Sequence, residues 1–210
     1  MELVRTALLG AVLMLGGCAV GATIDHRNPT PNLLAETTQS VVLVVVDQRN
    51  IVVDGDWNPT LVGWAPTAAL SRFPIRTTSG MPLAHDLSGA VASALRGNGI
   101  EVTVSLVSPS TDDAGALDAI VASGAERGIV IYLLQWLTHA NADVELIYRV
   151  RVDVTDGSGT VLAMNEVLSE DELGYAFVDP TAIAAEEAPA AAARGLERLL
   201  NDPAVLAALE

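Results

Sequence analysis

The chain has no lysine, one cysteine and few aromatic residues. A phosphate-binding loop of the GxxxxGK[ST] kind is therefore impossible, and a single cysteine excludes an internal disulfide, so the fold has to hold by its core. The three histidines, His26, His85 and His139, stand far apart, and none falls in a ligand-spaced motif such as HExxH. There is no GxSxG nucleophile elbow. Gly157-Ser158-Gly159 lacks the third glycine and the following helix of a dinucleotide loop and reads as a hairpin turn. Glu170-Asp171-Glu172 lacks the alternating ligands and turn glycine of a calcium loop and reads as a solvated acidic turn. No catalytic residue, metal or cofactor is expected, and the chain does not read as an enzyme. Eleven arginines against 26 acidic residues leave a net charge of -15, a surface that repels nucleic acid and anionic lipid head groups.

What is present begins with Leu15-Gly16-Gly17-Cys18. Met1–Gly17 has a short n-region with Arg5, an apolar run from Ala7 to Leu15 and small residues at its end, the parts of a secretory signal. The run is too short for a bilayer span, which takes about 20 residues. The stretch resembles a bacterial lipoprotein signal. That resemblance implies cleavage between Gly17 and Cys18, an S-diacylglycerol and an N-acyl chain on Cys18, and attachment to the membrane through those chains. One chain holds marginally, and two or three make a durable anchor. Ala19 follows the cysteine, with no aspartate there, which implies the outer membrane, periplasmic side.

The 193 residues from Cys18 to Glu210 suit one domain with a sizeable core. Residues 18–39 read as a lipidated N-terminus and tether, because Asn28-Pro29-Thr30-Pro31-Asn32 cannot be regular helix; Ala22-Thr23-Ile24 could instead pair as an edge strand. The domain is then 40–210. Ser40–Asp47 reads as the strongest strand: Val41–Val46 is continuously apolar and, but for Leu43, β-branched, as a central strand covered on both faces would be. Asp47 and Arg49 fall on one side of it and read as an ion pair at a strand terminus. Asn50–Gly80 reads as irregular, with Ile51–Val53 in a hairpin turned at Asp54-Gly55. Trp57, Trp64 and Phe73 lie in this stretch among prolines and form a candidate interaction loop, with core capping as the other reading.

Leu83, Leu87, Val91 and Leu95 recur every four residues and predict a helix over 82–96. Ile100–Leu106 alternates as a strand. A second helix is expected over 114–126, then a three-strand meander over 129–168 whose Arg149, Arg151 and Asp153 share one solvated face. Ser169–Asp179 reads as an acidic loop. Asp179-Pro180 opens a helix over 180–200, broken or kinked at Pro189. The expected fold is α+β: one mixed, mostly antiparallel sheet packed by two or three helices.

The lipobox at Cys18, the strand ending Val46-Asp47-Gln48-Arg49, Asp86-Leu87 opening a helix that ends before Asn98-Gly99-Ile100-Glu101-Val102, the strand before Gln135, the strand pair after it, and the closing Asp202-Pro203-Ala204-Val205-Leu206 together resemble the YajG-type bacterial lipoproteins. The chain departs from that pattern in an extra helix at 112–126 and a longer 50–80 segment. The resemblance implies an envelope lipoprotein with no catalytic residues, presenting a surface to an envelope protein partner. The alternative is an auxiliary of an envelope transport system (lipid or ABC-type) or of a flagellar system, binding an apolar ligand.

Overall fold

The run Val41–Val46 lies inside the sheet, one strand in from an edge, with a core on each face as its composition requires. In the computed structural model, which describes residues 21–56, 58–66, 71–109 and 111–210, strand β2 (Val41–Asp47) is buried along its whole length. Val41, Leu43 and Val45 point into the main core, and Val42, Val44 and Val46 into a smaller one on the opposite face. Two parallel neighbours flank it. These are β5 (Val102–Ser105) on one side and β6 (Arg127–Ala140) on the other. β6 is twice as long as β2. Where β2 stops, the same edge of β6 accepts β3 (Leu61–Pro66), which pairs antiparallel with β4 (Arg72–Thr77), which in turn pairs parallel with β1 (Thr23–Ile24). The other edge of β6 carries the antiparallel meander β7 (Asp143–Asp156) and β8 (Val161–Tyr175).

Five helices are present among the described residues: α1 (Asn50–Val53), α2 (Leu83–Gly97), α3 (Asp113–Ser123), α4 (Pro180–Leu200) and α5 (Pro203–Leu209). The stripe Leu83, Leu87, Val91 and Leu95 is buried, as is the Leu196, Leu199, Leu200 end of α4. α2, α4 and α5 fill the main core, and α3 covers the second one through Ala116 and Ile120.

Several expectations change. The sheet is mixed and curled. Four of its seven strand pairings are parallel and three antiparallel, because β1, β2 and β3 all insert beside strands distant in sequence. Residues 51–53 belong to a helical turn. The 61–66 and 72–77 segments are strands despite Pro66 and Pro74. The acidic stretch after Leu168 continues β8 to Tyr175, with Asp171 turned inward onto Arg198 at 2.8 Å. α4 runs unbroken through Pro189, whose missing N–H costs one hydrogen bond within a well-buried alanine-rich face. The tether does not stand free from residue 22 on. Thr23–Ile24 pairs with β4, and Ile24, His26, Leu33 and Ala35 are buried. Asn98 and Asn201 hold the Asn32–Ala35 backbone through their side-chain amides.

β3 reaches β6 because residue 63 is glycine. A Cβ there would sit 2.3 Å from the carbonyl oxygen of Thr138, and backbone cannot yield as a side chain tip can. Gly63→Ala is expected to cost about 3 kcal/mol, the upper end of ordinary overpacking, measured as a lower urea midpoint.

Candidate functional site

Asp47-Gln48-Arg49 sits where β2 ends and β3 takes over the edge of β6. Alternation sends Asp47 and Arg49 to one face and Gln48 to the other. Both charged residues are buried, Arg49 at 2% and Asp47 at 1% exposure. The guanidinium grips Asp47 with two bonds, from Nε to Oδ1 at 2.8 Å and from Nη2 to Oδ2 at 2.7 Å. Its remaining donors go to the carbonyls of Leu61 at 2.7 Å and Pro59 at 3.2 Å, with Trp136 at 3.5 Å. Arg49 thus ties β2, the start of β3 and the bulged part of β6 together, well beyond an ion pair at a strand end. Such use of every donor in a planar fork is an arginine property that lysine does not share.

On the opposite face Gln48 donates to Asp113 Oδ1 at 2.8 Å. Asp113, in the first turn of α3, accepts from Arg151 at 2.8 Å, and Arg151 lies 4.0 Å over the Tyr132 ring and 3.2 Å from Asp153. The Gln48 hydrogen bond, aided by Arg151 against partial burial, holds the Asp113 carboxyl below the usual range. Burial pushes Asp153 up, with Arg151 opposing, and pushes the Tyr132 hydroxyl up to about 12. Arg149, Arg151 and Asp153 do share a face, but α3 closes over the Asp153 end of it.

Of the three rings in the expected interaction loop, Trp57 lies outside the described residues, as do Gly17 and Cys18. Trp64 and Phe73 are both half-buried. Ala65 pairs with Phe73 and Trp64 with Pro74, so the two rings point to opposite faces of the β3–β4 pair and do not form one surface.

The fold has a solved counterpart. A Xanthomonas campestris protein of the family DUF330 superposes with a TM-score of 0.55 over 88% of this chain and 95% of its own, at 12% identity. The fold resembles that of this DUF330 protein. Looser likenesses are the PelC dodecamer from Paraburkholderia phytofirmans (TM-score 0.42, 15% identity, 80% and 91% covered) and a lipoprotein from Neisseria meningitidis (TM-score 0.30, 10% identity, 74% and 99% covered). No family model matches the sequence, and no curated protein matches it. At these identities the likeness speaks for the fold alone.

The sequence reading missed the outer face of β8. Among the described residues, this 15-residue strand pairs on one side only. Its inner residues pack under α4, while Met164 and Leu168 stand 63% and 68% exposed on the other face. Between them Glu166 accepts from Arg149 at 2.6 Å. Residues 168–173 carry no alternation of apolar and polar side chains, so this face becomes visible only with the strand register. An apolar cavity of about 190 Å³ lies at the C-terminal ends of β2 and β5, lined by Val45, Met81, Pro82, His85, Leu106 and Val107 among others. Among the described residues no group of three His, Cys, Asp or Glu side chains is placed to hold a metal, and no helix is long and apolar enough to cross a membrane.

Proposed function

We propose that this protein is a non-catalytic lipoprotein of the bacterial envelope, of the YajG-like kind, held through lipid on Cys18 to the periplasmic side of the outer membrane, where it docks a protein partner on the outer face of β8. The observation that supports docking is the long edge strand with Met164 and Leu168 exposed around the Arg149–Glu166 pair. An open edge offers backbone hydrogen bonds to an added strand, and alternate side chains give it specificity. Lipid on Cys18 would confine the chain to the membrane plane and raise its effective concentration near a partner there.

The test uses the full chain in a Gram-negative host. The intact mass of the membrane fraction should correspond to a chain starting at Cys18 plus acyl groups, and Cys18→Ser should abolish both processing and acylation. A photo-cross-linking residue at Leu168 should give one adduct of defined mass that is absent when the same residue replaces Val121, an exposed position on α3. Equal adducts at both positions would remove the β8 surface from the proposal.

The alternative, an apolar-ligand auxiliary of a transport system, has the cavity beside β2 behind it. At about 190 Å³ it is smaller than the roughly 300–1,000 Å³ of ordinary ligand pockets, so the docking reading is preferred.

A further inference from the structure

The topology fixes which end of the domain meets the bilayer, if Cys18 is the anchor as proposed above. β6 ends at Ala140, and the turn to Asp143 closes one pole of the sheet. β8 ends there too. Tyr175 pairs with Asp143, and the Ala176 N–H donates to the Ala142 carbonyl at 2.9 Å. β3 runs parallel to β6 and β4 antiparallel to β3, so β4 starts at this pole and leads away from it. β1 lies parallel to β4, with Thr23 opposite Arg76 and the Arg76 N–H on the Ala22 carbonyl at 3.0 Å. Ala22, the described residue next upstream of Thr23, therefore lies on the pole side of it.

Lengths decide the rest. Four residues separate Cys18 from Thr23, five Cα–Cα steps with a reach of at most about 17 Å. Arg76 stands about 13 Å along β4 from Arg72 at the pole, while the 14 residues of β6 make the sheet about 46 Å tall. The opposite pole, about 33 Å from Arg76 along the sheet, lies beyond that reach, so of the two ends of the sheet this one is the end a lipid on Cys18 can bring to the bilayer. The pole carries apolar side chains that the fold does not use. Phe177 is 83% exposed, Val178 94% and Tyr175 65%. Three such residues within four positions of one turn are a patch of the kind that meets another surface.

We infer that this pole is a membrane-contact surface, with Phe177 and Val178 set into the head-group region beside the lipidated N-terminus and Tyr175 at its rim. Tyr175 fits the interface, where rings with one wet end are favoured, and Phe177 and Val178 supply purely apolar surface. The charged groups at the pole are Asp143, Asp179, Glu145 and Glu172 with Arg72 and His139. Asp179 is engaged as the α4 cap, accepting from the Ala182 N–H at 3.1 Å and from Thr181 at 2.7 Å. The acidic excess makes this an apolar contact suited to zwitterionic lipid, with the acyl chains supplying the holding force.

The experiment takes the mature acylated protein, verified by intact mass, reconstituted in vesicles of phosphatidylethanolamine with a minor share of phosphatidylglycerol. An environment-sensitive fluorophore is placed at Phe177→Cys and, separately, at Leu162→Cys on the opposite pole; the Cys18 sulfur is blocked by its thioether. Lipid carrying a shallow nitroxide should quench the label at 177 several-fold more than the label at 162. Equal or absent quenching in protein of the acylated mass overturns the contact surface and leaves the anchor standing. A label at 177 shielded without lipid, in proportion to protein concentration, assigns the patch to a second copy and also overturns it. A mass without acyl groups removes the anchor and this inference with it.

Discussion

Arg49→Met is expected to lower the free energy of unfolding by about 3–5 kcal/mol, the usual cost of breaking a buried ion pair by removing one partner. The variant leaves the Asp47 carboxylate uncompensated at 1% exposure and takes donors from the Leu61 and Pro59 carbonyls. Asp47→Asn strands the guanidinium instead and should fall in the same range. The double variant Asp47→Leu/Arg49→Met removes the lone charge and should recover part of the loss. It should still sit below the parent chain, because each buried carbonyl left without a donor costs about 1–3 kcal/mol. Arg149→Met is the control. Its partner Glu166 is 36% exposed and Arg149 itself 50%, so a change within about 1 kcal/mol is expected. Urea midpoints at constant m give all four numbers. An Arg49→Met loss no larger than that of Arg149→Met would refute the splice between β2 and β3 described above.

The second large effect is on acid stability. His26 is 2% exposed, edge-on to the Trp136 ring at 5.5 Å between centroids, and neither ring nitrogen has a hydrogen-bond partner among the described residues. Burial, with the Arg49 charge adding to it and Asp25 opposing it, pushes the imidazole down to about 3. The folded state therefore holds His26 neutral, whereas the unfolded chain protonates it near pH 6.5. Its contribution to stability is complete above that value and is lost as the pH falls toward 3. At pH 4.5, about two units below the unfolded value, the loss is about 2.7 kcal/mol. His26→Phe keeps the ring contact and removes the titration. Unfolding free energies at pH 7 and 4.5 should show the parent chain losing about 3 kcal/mol more than the variant. Equal losses would mean that His26 is not held in the core. Comparing the two chains cancels the background of groups such as Asp25, which hydrogen bonds from Arg27 and Asn28 hold low against burial, and Asp86, which burial raises.

The parts of this fold that are legible in the sequence are those whose signal is local. The β-branched run of β2, the four-residue stripe of α2 and the turns of the meander each sit inside a dozen residues. The parts that are not legible depend on partners far along the chain. β3 and β4 carry prolines that argue against strand, and they become strand because Gly63 lets one backbone close on Thr138. The far half of β8 reads as loop from its acids until Arg198, on another element, takes Asp171. Spacing put Asp47 and Arg49 on one side of β2, but only Leu61 and Trp136, 12 and 87 residues from Arg49, explain why both are buried. Residues 25–35 read as tether because prolines mask the anchors His26, Leu33 and Ala35, whereas the pairing of Ala22-Thr23-Ile24 as an edge strand is an open alternative in the sequence. Of the candidate site, the β8 face needed the register to be seen, and Cys18 lies outside the described residues.

The position of β2 also sets an order of assembly. β6, β7 and β8 are joined by short turns, so the meander can form from local contacts alone. β2 pairs at Val41 with Val102 and Arg127, so its two slots open only after some sixty and some eighty-five further residues are available. Closing loops of that size before the contacts reward it makes β2 insertion a late event. Until then Val41-Val42-Leu43-Val44-Val45-Val46 is an uncharged β-prone segment without a partner, the sequence type that seeds aggregates. Because the chain is synthesised N-terminus first, this segment stays exposed until the strands at 102–105 and 127–133 have followed it.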